Sequence, residues 1–295
     1  MKRAIILAVS TLLTVPVHAV TVLTSIKPIQ MIATELTEGV TSPDVLLQSN
    51  ASPHDYALRP SDVKKVASAD LVIWFGHDLE PFLEKVVTDK GNTLTISQIP
   101  GLSLREFGSE HDHGHDHDGH NHGTHDPHFW LGIETVQQVA KAIASKLAEV
   151  DPEHAATYGE NLNKFEIQLK ATDAEIKQQL TPVKDKGYFV FHDAYGYFEE
   201  RYALNQMGHF TVSPDRKPGA KTLIQIRKTL STGDVACVFS EPQFTPAVIE
   251  SVMRGNDVKA GVLDPLGTDI EVSSGSYFEF LYSMSNSFSQ CLSEK

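Results

Sequence analysis

Short apolar runs of strand length alternate, along the first half of the chain, with stretches whose apolar positions recur every three or four residues. Runs at 20–26, 45–47, 71–75 and 93–96 read as strands. The continuous apolar run at 71–75 suits a strand buried on both faces, whereas 93–96 alternates and suits a strand with one face in water. Helical stretches at 29–36, 61–69 and 79–87 lie between them, with Pro28, Pro60 and Pro81 near first-turn positions where proline is tolerated. The second half repeats the grammar, with strands at 188–191, 208–212, 235–239 and 258–263 and helices near 194–204, 219–231, 245–254 and 276–292. Strand and helix in strict alternation predict two α/β lobes, each a parallel sheet covered by helices.

Between the lobes, Asp151-Pro152-Glu153 supplies an N-cap, a first-turn proline and an acidic first turn. Tyr158, Leu162, Phe165, Leu169, Thr172, Ile176 and Leu180 then recur at spacings of three and four until Thr181-Pro182. A helix over 152–181 would be roughly 45 Å long at about 1.5 Å per residue. Its length predicts one long rigid helix joining the lobes, although an ordinary amphipathic surface helix gives the same pattern. The expected organisation is a signal peptide over 1–19, an N-terminal lobe over 20–150, a linking helix over 151–182 and a C-terminal lobe over 183–295.

Residues 1–19 carry Lys2 and Arg3, an apolar stretch from Ala4 to Val17, and Val17-His18-Ala19 with a small residue before the expected cut. The stretch is shorter than the roughly 20 residues of a membrane-spanning helix, so an exported protein is expected rather than an anchored one. No cysteine follows the cut to carry a lipid. Removing the leader takes away two cations and no acid, which moves the formal charge from -13 to -15. An acidic chain has no basic footprint for phosphate backbones, so no nucleic-acid partner is expected. The chain has 295 residues, 41% of them hydrophobic and 21% charged, enough for two domains with ordinary cores. Cys237 and Cys291 are its two cysteines. In an oxidising compartment one disulfide tying the C-terminal segment to an inner strand is their natural pairing, with two free thiols as the alternative. No CxxC spacing points them at a metal.

The histidines, 14 in number, change the picture. His111, His113, His115, His117, His120, His122 and His125 fall in a segment, 110–126, with no periodicity and little apolar surface, which predicts a mobile loop. Seven imidazoles there predict secondary metal capture, weaker and less selective than in a built site because ordering entropy is lost on binding. Three other histidines stand apart: His54 past the second strand, His128 after the loop and His192 at the end of the strand at 188–191. Asp264 ends a further strand. Open α/β sheets place their sites at the carboxyl ends of strands, so facing lobes would bring these four together in the cleft. Three neutral imidazoles and one carboxylate form a four-coordinate shell suited to zinc, whereas manganese and calcium prefer more oxygens.

The segments PHDYALRPSD at 53–62, DPHFWL at 126–131, FHDAYGYF at 191–198 and LDPLGT at 263–268, with a His-rich loop before the second, resemble the periplasmic zinc-binding proteins of bacterial high-affinity zinc ABC importers, in the metal-binding solute-binding-protein family. The resemblance implies a C-shaped pair of α/β lobes joined by one long helix, in the periplasm, holding one Zn2+ as transported cargo in the cleft. It also implies delivery to an inner-membrane ABC zinc permease with its cytoplasmic ATPase, by a monomer that is not an enzyme. His54, His128 and His192 match the three ligand histidines. Asp264 matches an Asp that is a fourth ligand in some relatives and only nearby in others. Some zinc-specific members have a Glu before the first ligand histidine; Pro53 stands there instead, which leaves the fourth position to Asp264 or to water.

Two other functions compete. An exported zinc hydrolase would need a general base beside the metal, with Asp193, Asp264 and Glu241 available, but nothing resembles HExxH or a nucleophile motif. A secreted metal buffer or adhesin would use the histidine run and keep the lobes as scaffold. Ligation by imidazole predicts affinity that falls as pH drops through the histidine range, around 6–7.

Overall fold

The computed structural model describes residues 19–48, 51–88, 90–106, 125–212, 214, 217–244 and 247–293. The leader up to residue 18 and six histidines of the run, His111 to His122, lie outside them.

Two sheets of identical topology form the frame. The first has the order β2-β1-β3-β4, from β1 (Val22–Thr24), β2 (Asp44–Val45), β3 (Leu71–Trp74) and β4 (Thr93–Thr95). The second has the order β6-β5-β7-β8, from β5 (Gly187–His192), β6 (Gln206–Thr211), β7 (Val235–Ser240) and β8 (Lys259–Val262). All pairings are parallel. The apolar run that predicted a doubly covered strand is central: every residue of β3 is buried, as is every residue of β5 in the second sheet. The alternating run became edge strand β4, half-buried throughout.

Helices α1 (Lys27–Leu36), α2 (Pro60–Ser68), α6 (Gly196–Tyr202), α7 (Ala220–Leu230), α8 (Ala247–Met253) and α9 (Ser276–Leu292) fall where the pattern places them. The helix expected over 79–87 shrinks to one turn, α3 (Glu84–Val87). The reason is Glu80, whose buried carboxylate accepts the N–H groups of Phe75 at 2.9 Å and Gly76 at 3.3 Å and closes a turn directly after β3. The stretch 133–150, for which no element is expected above, forms α4 (Ile133–Val150), with Ile133, Val136, Val139, Ala140, Ile143 and Leu147 buried at helical spacing.

The linking helix is α5 (Ala155–Leu180), preceded by a 3-10 turn over Pro152–His154. Asp151 does not cap it through the early N–H groups. Its carboxylate instead accepts the Tyr158 hydroxyl at 2.6 Å and pairs with His154 Nδ1 at 2.8 Å. Nor is α5 a bare strut, because it packs on α1 and α4 from the first lobe and on α9 from the second. One core consequently runs through both lobes, and a smaller one, around Phe189, Phe191, Phe210 and Val238, lies under α7 and α8. Cys237 of β7 and Cys291 of α9 form a disulfide.

Direct bonds close the frame across the cleft. Trp130 Nε1 donates to the Pro265 carbonyl at 2.8 Å, and the Tyr277 hydroxyl donates to the Trp130 carbonyl at 2.7 Å. These ties, together with the length of α5, limit how far the lobes can move against each other.

Burial raises the Glu80 carboxyl to about 7. A folded value above the ordinary one near 4.3 means that protonation favours the folded state: its contribution is full below about 4.3 and is lost as pH rises through about 7. Glu80→Gln keeps an acceptor for the two N–H groups without the buried charge. It should stabilise the protein by on the order of 3 kcal/mol at pH 8 and very little at pH 4, at about 1.4 kcal/mol for each tenfold change in proton affinity. Urea unfolding at the two pH values checks this; equal effects at both would refute it.

Candidate metal centre

Three histidines from three segments meet between the lobes. His54 sits in the turn after β2, in a segment whose far end is fixed by Asp62, which accepts the Arg59 N–H at 2.8 Å and the Tyr56 hydroxyl at 3.0 Å. His128 enters from the first lobe immediately before the 3-10 turn Phe129–Leu131, and His192 ends β5. Their ring centroids are 5.2–5.8 Å apart, and one ligand atom from each lies within 4.8 Å of the others. His128 and His192 are buried; His54 is partly exposed.

Each buried imidazole is held from behind by a carboxylate. Asp126 Oδ1 stands 2.7 Å from His128 Nδ1, and the Glu241 oxygens stand 2.7 and 2.8 Å from His192 Nδ1. With Nδ1–H donated to a carboxylate, Nε2 of the neutral ring is left as an acceptor. The two Nε2 atoms nevertheless face each other at 3.3 Å. Two lone pairs repel at that distance unless an electron-pair acceptor, a proton or a metal ion, lies between them, and the third imidazole beside them suits a metal ion. Nitrogens about 2.0–2.1 Å from a tetrahedral zinc lie about 3.3–3.4 Å apart, which is the spacing found. A carboxylate behind a ligating histidine is also the usual outer-shell device that fixes its tautomer and raises its basicity.

The wall around this group is mostly apolar, from Trp130, Pro214, Phe244, Pro265 and Leu266, with Ser52, Glu241 and Gln243 as its polar members. It leaves a cavity of about 20 Å³. That is room for an ion or one water, and far below the roughly 300 Å³ at which pockets for organic ligands begin. Burial and the neighbouring Glu241 push the Tyr195 phenol well above its ordinary value, so its hydroxyl stays neutral beside that carboxylate.

Asp264 is not brought into the group. Its Oδ1 accepts the Leu266 N–H at 3.1 Å and Gln243 Nε2 at 2.8 Å, and its Oδ2 accepts the Thr268 N–H. The carboxylate thus folds back over its own turn, a common use of aspartate before proline and glycine. His125 forms an isolated antiparallel bridge with Glu106, and the other histidines of the run fall outside the described residues.

Sequence reasoning missed the two orienting carboxylates in that role. Asp126 stands two residues before His128, inside a motif already singled out. Glu241 follows β7 directly, so the rule that selects Asp264 also applies to it. The sequence offers Glu241 only as a general base, whereas both its oxygens are taken by His192.

A family model described as "ZnuA: Zinc-uptake complex component A periplasmic" matches residues 22–291. The chain is 45% identical over 288 residues to the high-affinity zinc uptake system protein ZnuA of Yersinia pestis, covering 92% of this chain and 91% of that protein. It is 44% identical over 289 residues to the protein of the same name from Haemophilus ducreyi, covering 92% and 93%. A crystal structure of ZnuA superposes with a TM-score of 0.79 at 27% identity, covering 94% of this chain and all of that one.

Proposed function

The chain belongs to the ZnuA family of zinc-uptake complex components, and from that premise we propose how its residues carry the cargo. The protein is a zinc-binding solute-binding component of an ABC importer and not an enzyme. In our reading His54, His128 and His192 hold one Zn2+ in the cleft. Water takes the fourth position, because Asp264 is engaged by Gln243 and its own turn. The observation that carries this is the 3.3 Å approach of two Nε2 acceptors whose Nδ1 atoms are both held by carboxylates.

No described helix is long and apolar enough to cross a membrane. We place the mature protein in the periplasm as a monomer that hands its ion to an inner-membrane zinc permease driven by a cytoplasmic ATPase. We bound its lobes at 20–150 and 183–295, around the linking helix at 151–182. The run from His111 to His125 acts as a set of weaker secondary sites. Nothing covalent happens to the cargo: the imidazoles bind, the carboxylates orient them, and the close wall leaves room for little more than the ion and one water.

Competitive zinc titration of metal-stripped protein, intact and lacking 110–124, a deletion that leaves Asp126 behind His128, tests this reading. One tight equivalent should persist in both, and only weaker equivalents should vanish with the deletion. Loss of the tight equivalent would move the function to the histidine run.

A further inference from the structure

We propose that Arg105 is a positioning residue for the metal site, one that makes the orientation of His128 depend on the fit between the lobes and so sets how fast the metal leaves. The proposal rests on the zinc-binding reading of the cleft.

Arg105 belongs to the first lobe, and its guanidinium, 21% exposed, bridges two carboxylates. Nη1 donates to Oδ2 of Asp126 at 3.2 Å, and Nε donates to Oε1 of Glu200 at 2.6 Å. Asp126 is fully buried, and its other oxygen accepts the His128 N–H at 3.0 Å as well as facing His128 Nδ1. One carboxylate therefore answers to the ligand through one oxygen and to the arginine through the other. Glu200, by contrast, lies on α6 of the second lobe.

The arginine is also seated against that helix. A side chain at Gly196 would collide with the Arg105 guanidinium, so glycine there lets the planar group lie on the α6 backbone. The main chain repeats the connection: the Arg105 N–H donates to the Tyr197 hydroxyl at 2.9 Å, which donates to the Asp126 carbonyl at 2.9 Å. Gly132 leaves room for the Tyr197 ring in the same way. His192 and its Glu241 have no such arrangement, since both belong to the second lobe.

The physical consequence is a coupling. When the lobes fit, Arg105 is held by Glu200 and Gly196 and balances a buried Asp126, which keeps the His128 ring directed at the metal. When they separate, the guanidinium loses its seat on α6 and its Glu200 partner, so its hold on the Asp126 oxygen slackens. A buried carboxylate whose counter-ion is no longer fixed in place is free to rearrange. His128 then loses its fixed direction, and metal release follows.

Chelator-driven release of zinc from the loaded full-length protein, followed by stopped flow, tests this. Arg105→Gln should speed release about 10–100-fold, the usual effect of losing an outer-shell partner, while keeping one tight equivalent. Gly196→Ala changes no charge but displaces the guanidinium and should act in the same direction. Glu200→Gln, at the exposed end, should speed release about two- to five-fold. Arg105→Gln should add nothing further on an Asp126→Asn background, because it acts through that carboxylate.

A purely structural role would lower the melting temperature of the metal-free variants and leave release rates alone. Unchanged release in Arg105→Gln and Gly196→Ala, or full multiplication of the Arg105→Gln and Asp126→Asn effects, would overturn the proposal. If Arg105→Gln does not fold, Gly196→Ala and Glu200→Gln decide it. A wild type that binds no tight zinc would bring down the functional reading, whereas tight binding with unaltered release rates defeats the role of Arg105 alone.

Discussion

His128→Ala should lose the tight zinc equivalent as an experimenter would define it, with affinity falling about 10²–10³-fold. The magnitude follows from structural zinc sites, where roughly 10–16 kcal/mol is shared among four ligands, or about 2.5–4 kcal/mol for each. At about 1.4 kcal/mol per decade, one ligand accounts for two to three orders of magnitude. His54→Ala and His192→Ala should behave alike, because the three nitrogens form one group. Glu241→Gln should cost less, about 10–100-fold, since it disturbs the direction of His192 and not its presence. Asp264→Ala should leave the affinity within a few-fold, because its oxygens already accept Leu266, Thr268 and Gln243. Competitive titration against a chromophoric chelator reads all five. Tight binding retained in His128→Ala would remove that residue from the ligand set. An Asp264→Ala loss as large as the histidine losses would restore the carboxylate as fourth ligand.

The disulfide should carry the largest single share of stability. Cys237 and Cys291 close a segment of 54 residues, for which the chain-entropy account gives roughly 4 kcal/mol. The bond ties β7, at the centre of the second sheet, to α9, which also packs on α1 and α5. A paired Cys237→Ser and Cys291→Ser variant should therefore be destabilised by about 2–4 kcal/mol in urea titration. The zinc stoichiometry should be unchanged, because neither cysteine lines the site. A difference below about 1 kcal/mol would show that the unfolded chain is already restricted in this region.

The parts of the fold legible in sequence are those fixed by local periodicity. The continuous apolar run at 71–75 marks β3 as a central strand because parallel strands are covered on both faces. Spacings of three and four mark α5, and strand ends mark His192 and Asp264. The failures have equally local causes. The apolar spacing over 79–87 is helical, but Glu80 spends its carboxylate on Phe75 and Gly76 and turns the chain instead. The periodicity of α4 is present in the sequence, with seven of its apolar positions buried between Ile133 and Leu147.

For the site, residue type and position along the chain pointed to which imidazoles to consider: His54 and His192 lie after or at the end of strands, whereas His128 stands after the His-rich run and before a 3-10 turn. Type and position could not determine direction. Asp264 looks like a ligand by its place after a strand, and only the folded chain reveals that Gln243 and its own turn engage it. Asp126 and Glu241 become part of the site only when the lobes pack, since orientation of His128 and His192 depends on bonds whose partners are set by tertiary contact. A sequence specifies what each group is able to donate or accept. Which partner it finds is decided by burial, where a polar group taken from water must bond to whatever the fold places beside it.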